Sequence, residues 1–139
     1  MTEYDLDLGR RAVACRGWRW MPGMQATYTL GGEREDPAES LGRLVWEKHG
    51  SEGDWNAGRW YMFPSVGTRV AIPKEPNLKD PATFGCLLAL VREALRDPRV
   101  ICVPSVIGGQ WVVTGGGAVW PVAAATEIEA LVLAWESFP

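Results

Sequence analysis

Histidine is almost missing from this 139-residue chain: His49 is the only one, set in H-G-S-E-G-D with no neighbour whose role the sequence assigns. A Ser/His/Asp or Cys/His nucleophilic arrangement would have to use it as the base, so such chemistry has a single, loop-borne candidate. Cysteine is scarce too. Cys15, Cys86 and Cys102 are odd in number, scattered among apolar neighbours and without any C-x-x-C pair. That excludes a disulfide framework and leaves no zinc site, and the three read as reduced thiols in the core. Long apolar runs are also lacking. None approaches the ~18 residues a membrane span needs. The start M-T-E-Y-D-L-D-L is acidic where a signal peptide is basic and then apolar. Those two absences predict a cytoplasmic protein without membrane contact. Basic excess is absent as well: the formal net charge is -3, which argues against binding long nucleic acid.

Against these shortages stands a surplus of tryptophan. Eight indoles in 139 residues is unusual, because each brings a large apolar surface and an N–H that seeks a partner, a combination favoured at interfaces and ligand pockets. Hydrophobic residues make up 47% and charged ones 22%, the balance of a globular chain that buries a core. The length suits one domain over residues 1–139, with 33–58 as a loop-rich insertion. There is no internal repeat and no low-complexity segment.

The chain reads as organised around Asp80–Asp97. Asp80 is a good N-cap, Pro81 fits the first helical position and Pro98 blocks continuation. Phe84, Leu88, Val91 and Leu95 fall on one face, widened by Leu87, Leu90 and Ala94. The aliphatic strands that follow are the expected floor for it. A second helix is marked by Thr126 and Glu129 as a capping box, with Ile128, Leu131, Val132 and Trp135 on one stripe. Asp5–Arg16 reads as a short first helix weakened by Gly9 and closed by Gly17. Strands are expected at Gln25–Leu30, Val100–Val103, Gln110–Thr114 and Trp120–Val122, and a hairpin from Arg59–Phe63 to Thr68–Ile72. Pro73–Lys79 reads as a connection into the main helix. Leu41–Lys48 is too short for periodicity to separate helix from strand. The element order predicts an α+β fold, an antiparallel β-meander covered by two or three helices.

The informative cluster for function is R-R-A-V-A-C-R-G-W-R-W-M-P-G-M, Arg10 to Met24. It holds four arginines and no acid in an acidic chain, with Trp18 and Trp20 interleaved. Guanidinium forks hold phosphate bidentately and indole faces stack on bases. The candidate ligand-binding residues are Arg16, Trp18, Arg19, Trp20 and Met24. A second aromatic group adds Arg59 and Trp60. The competing reading makes Arg10 and Arg11 a solvated helix face beside an acidic partner and the tryptophans core plugs. E-R-E-D at 33–36 reads as a solvated run, and Gly115–Gly117 as a turn, since no helix follows it to hold phosphate. No catalytic, metal or cofactor-binding residue is assigned.

The Arg10–Met24 segment, D-P-A-T-F-G-C-L-L-A-L-V-R-E-A-L and the closing A-A-A-T-E-I-E-A-L-V-L-A-W-E together resemble small proteins of tailed phages and prophages, the NinX-like and phage ABA-sandwich group. Arg16, Gly17, Trp18, Gly23 and Met24 also resemble the N-terminal turn of phage anti-Thoeris sponges, with one extra residue between the Trp and the Gly. The first resemblance implies a phage context. The second implies a non-enzymatic homo-oligomer that sequesters a cyclic nucleotide made by a bacterial defence system. The alternative expectation is a phage inhibitor that docks on a host protein through exposed tryptophans.

Overall fold

The computed structural model describes residues 1–30, 40–48, 58–63, 71–106 and 108–138. Among the described residues three helices and seven strands follow in the order α1 (Glu3–Ala14), β1 (Gln25–Leu30), β2 (Ser40–Lys48), β3 (Gly58–Phe63), β4 (Ala71–Pro76), α2 (Pro81–Ala94), β5 (Ile101–Pro104), β6 (Trp111–Gly115), β7 (Ala118–Ala124) and α3 (Glu127–Glu136). The strands form two antiparallel sheets, a four-stranded one ordered β3-β2-β1-β4 and a three-stranded meander β5-β6-β7. The fold is α+β, as the element order predicts.

Each helix starts where a side chain can take up its free N–H groups. α1 begins earlier than the apolar pattern suggests, because Thr2 and Asp5 form a reciprocal capping box: the Asp5 N–H donates to Thr2 Oγ1 at 3.2 Å and the Thr2 N–H to Asp5 Oδ2 at 2.8 Å. Lys79 Nζ lies 2.7 Å from the other Asp5 oxygen and ties this cap to the segment before α2. α2 starts at Asp80 as expected, and Asp80 also accepts two hydrogen bonds from Arg43 of β2, at 3.1 and 2.8 Å. Thr83 Oγ1 donates to Asp80 at 2.9 Å and accepts from the Gln25 N–H at 2.7 Å. The start of α2 is thus fastened to β1 and β2. In α3 the Thr126 hydroxyl caps Glu129, and the Glu129 carboxylate reaches the N–H of Ala125, one residue ahead of the cap.

Three local expectations are corrected. Leu41–Lys48 is a strand, β2, lying between β1 and β3, so residues 40–48 belong to the sheet and not to a loop-rich insertion. Among the described residues the expected hairpin pairing does not form: β3 pairs with β2 and β4 with β1, at the two ends of the strand order. The segment expected as a connection continues β4 through Pro73 to Pro76. An edge strand tolerates prolines, because one side of it needs no N–H donors. Of the loops expected at Glu33–Ser40 and His49–Gly58, Ser40 begins β2 and Gly58 begins β3, and the remaining residues, with His49 and the Thr68–Val70 part of the hairpin, lie outside the described residues.

The hub of the molecule is α3 rather than α2. α3 packs on all three strands of the smaller sheet and touches α1 and α2, while α1 packs on β4. Its Ala130, Leu131, Val132, Ala134 and Trp135 are all buried, which leaves hardly any outward face. The buried line of α2 runs through Thr83, Leu87, Leu90 and Val91, and Phe84 and Leu88 on the expected face are only half-buried. One continuous core joins Met24, Ala26 and Leu44 of the larger sheet's side with Val113 and Ala124 of the smaller sheet.

Candidate functional site: an arginine-bearing groove at the helix ends

After α1, Gly17 takes φ +89°, a left-handed turn open to glycine, and sends the chain back along the C-terminal end of α3. The Trp135 indole N–H donates to the Arg16 carbonyl at 3.1 Å and fixes this turn. Trp18 lies against Trp135 with ring centroids 6.0 Å apart, and Trp20 meets Trp18 edge-on at 5.4 Å. Trp18, Trp20 and Met21 pack against the core, and Trp135 is 2% exposed. The indole stack is therefore the wall behind the turn.

In front of that wall is a groove of about 330 Å³, bounded by Arg16 and Gly17, the C-terminal end of α2 with Glu93 and Arg96, and Trp135 and Phe138. A second hollow of about 260 Å³ adjoins it, shares Arg16 and Phe138, and extends towards Arg11 and Cys15. α2 ends in a Schellman turn: the Asp97 N–H donates to the Arg92 carbonyl at 3.0 Å and the Arg96 N–H to that of Glu93 at 3.1 Å.

The structure separates the arginines that the sequence grouped. Arg10 meets Glu3 at 3.0 Å and Glu75 at 3.4 Å, and Arg11 meets Glu136 through two hydrogen bonds of 2.8 and 2.7 Å. Arg19 is held by Glu93 in the same forked way, at 3.1 and 2.7 Å. Hydrogen bonding to these guanidinium groups holds the Glu93 and Glu136 carboxyls below their ordinary range. Arg16 alone of the four forms no ion pair among the described residues, and its side chain is exposed. Arg16 borders the groove, Arg19 reaches its rim through Glu93, and Trp18 and Trp20 stand behind it. Met24, expected as a ligand-binding residue, is 0% exposed and belongs to the core, and the aromatic side of the groove is Phe138 with Trp135. Arg59 and Trp60 sit on β3 at the edge of the larger sheet, with side chains outside the described residues.

Arg96 and Phe138 were not among the site residues expected from the sequence, where Arg96 reads as a water-facing residue of the main helix. An arginine just past a helix reads as a solvated cap, and only the exact helix end shows that Arg96 occupies the left-handed position. The cysteines are chemically quiet: burial pushes the Cys15 thiol up to about 11 and the Cys102 thiol up to about 12, and raises Cys86 as well. Among the described residues no group of three His, Cys, Asp or Glu side chains lies close enough to hold a metal ion, and no helix is long and apolar enough to cross a membrane.

A second surface stands out on the smaller sheet. Cys102, Trp111, Val113 and Val122 face α3, so the alternate residues face away from it. Strand register places Ile101, Thr114 and Val119 in one row on that outer face and Val103, Val112 and Ala123 in the next. None of the six is charged, and Ile101 and Val119 are 45% and 66% exposed. A sheet face left to water ordinarily carries polar side chains.

These features define a small α+β protein with two antiparallel sheets and an arginine-bearing groove at its helix ends. No protein-family model, curated protein or solved structure matches the chain.

Proposed function

We propose that this chain is a phage-encoded anti-defence sponge, which captures a cyclic nucleotide immune signal of the cyclic ADP-ribose or cyclic oligonucleotide kind in the host cytoplasm and holds it without cleaving it. The observation that carries this reading is the groove itself. It brings Arg16 and Arg96, which form no ion pair among the described residues, to the same hollow as the aromatic rings of Trp135 and Phe138, in a chain of net charge -3. Arginine forks hold phosphate, and Phe138, 42% exposed, offers a ring against which a base can lie. The volume falls within the range of small-molecule sites. The phage context rests on the resemblance of the N-terminal turn and the C-terminal half.

Self-association belongs to this reading, and the uncharged outer face of β5, β6 and β7 supports it. Two copies meeting through that face bring no like charges together, and a two-fold axis sets the same uncharged rows against each other. The competing reading, an inhibitor docking through exposed tryptophans, draws no support from the tryptophans whose side chains are described: Trp18, Trp20, Trp111 and Trp120 are half-buried and Trp135 is buried.

Calorimetric titration of a cyclic nucleotide panel into the purified protein tests the proposal. A sponge gives at least one ligand with Kd below roughly 1 μM, recovered intact after binding. Arg16→Ala weakens that ligand at least tenfold with little change in Tm. Absence of any binding, together with one stoichiometric host protein in a pull-down, replaces the sponge by the inhibitor.

A further inference from the structure

We propose that the groove is built for a ligand carrying two separate negative charges, a pyrophosphate or a pair of phosphodiesters, with Arg96 as its second phosphate-holding residue beside Arg16. The inference rests on the sponge reading and specifies its ligand. Its first support is backbone conformation. Arg96 has φ +53° and is the sole non-glycine residue at positive φ among those described. It fills the left-handed position of a Schellman turn, where glycine is the usual occupant because a Cβ is disfavoured there. A strained residue persists at a helix end where its side chain has a use.

Helix capping does not account for the choice. A cation near the negative end of the helix dipole is favourable, but Arg92 already provides one in the last turn, with its Nε donating to the Val100 carbonyl at 2.9 Å. Nor does Arg96 answer a neighbouring acid. Glu93 is engaged by Arg19, and Asp97 accepts from the Arg99 N–H at 2.9 Å and from its Nε at 3.3 Å. Arg96 is exposed, and it forms no ion pair or side-chain hydrogen bond among the described residues. With Glu93 neutralised by Arg19, the groove presents two uncompensated guanidinium groups, Arg16 and Arg96. Charge balance then favours two negative charges over one, and two forks favour two phosphates.

Three probes and two variants test this: cyclic ADP-ribose and cyclic di-AMP, with two charges each, and cyclic AMP, with one. The unmodified protein is expected to bind at least one doubly charged probe ten or more times tighter than cyclic AMP. Arg96→Gly should raise Tm by about 2–4 °C, because glycine relieves the left-handed strain. The same change should weaken the doubly charged probe about 10- to 100-fold and remove most of its advantage over cyclic AMP. Arg96→Asn, which tolerates the same backbone, should lose binding without that gain in Tm. A lower Tm for Arg96→Gly with unchanged affinity makes Arg96 a structural cap and overturns the inference while the sponge stands. Equal affinity for cyclic AMP and the doubly charged probes overturns it too. If none of the three binds, the inference falls, and the wider panel above decides the sponge.

Discussion

Asp80 shows how much one side chain can carry. It caps α2, receives the forked guanidinium of Arg43 from β2 and positions Thr83, which in turn accepts the first N–H of β1. The Arg43 hydrogen bonds are the main cause that lowers its carboxyl to about 2 from an ordinary 3.8, with the Thr83 N–H assisting. Lys79 similarly holds Asp5 at about 2. Both groups are depressed in the folded state, so the unfolded chain takes up protons more readily. Their stabilisation is complete above pH ~4 and is lost as pH falls through the interval down to about 2, a loss of about 1–2 kcal/mol for each. Asparagine keeps the cap but not the charge. Asp80→Asn should therefore lower stability at pH 7 and flatten the acid limb of a urea-denaturation series, and a limb as steep as that of the unchanged protein refutes the linkage. The capping role of Asp80 was legible in the sequence, because Asp-Pro before an apolar run is a local signal. The partnership with Arg43, 37 residues away, was not, since nothing local tells an arginine which acid it will meet. The same limit hid the pairing of Arg11 with Glu136 and of Arg19 with Glu93, so four arginines that look alike in the sequence divide into three engaged and one free of ion pairs among the described residues. Trp18 and Trp20 were ambiguous for a related reason: large flat side chains suit a groove and a core equally, and only packing decides.

At the level of elements, two helical glycines look equivalent in the sequence and should behave in opposite ways. Gly9 of α1 lies against β4, and a Cβ there would stand 3.0 Å from the Pro76 carbonyl oxygen and 3.2 Å from Pro76 Cδ. Backbone and a proline ring yield little. Gly9→Ala should therefore lower stability by about 1–2 kcal/mol, although alanine is the better helix former. Gly85, in the exposed part of α2, has nothing within 4 Å of the same position. There the helix preference acts alone, and Gly85→Ala should raise stability by about 0.5–1 kcal/mol. Thermal denaturation of both variants decides the matter, and shifts of the same sign mean that α1 does not approach β4 as described. Gly9 looked like a weakness of the first helix; the close crossing over β4 is what requires it. Helices with local start and stop signals were readable, as were β1 and the three strands of the smaller sheet. The larger sheet was harder. Its neighbours are set by non-local pairing, and β4 carries two prolines that suggest a loop until its place at the edge is known.

For the whole molecule the open question is what meets the outer face of the smaller sheet. Its six positions Ile101, Val103, Val112, Thr114, Val119 and Ala123 carry no charge, in a chain whose charged residues make up 22% of the total. Apolar area left in water costs about 25 cal/mol per Å², so a partner that covers these rows is favoured as long as it brings no buried charge. A second copy satisfies that condition by symmetry, since the surface it offers is the same uncharged one. It also keeps the two grooves apart, one per chain at the helix ends, so each subunit captures its own ligand. The sponge reading accordingly predicts dimers in solution at tens of micromolar, measured by light scattering after size exclusion, with one nucleotide per chain by calorimetry. Val119, in register with Thr114 and then Ile101, is the position to perturb. Val119→Lys places a charge in the face and, by the two-fold axis, a like charge on the copy it meets, so the dimer should dissociate at least tenfold more readily. The β-hairpin beneath should be unaffected, because Val119 points away from α3 and its removal opens no cavity; circular dichroism and Tm should stay near those of the unchanged protein. Groove occupancy per chain should stay the same. A protein that is already monomeric at about 100 μM, or a Val119→Lys variant that stays dimeric, removes this face from the assembly and leaves the groove to act in a single chain.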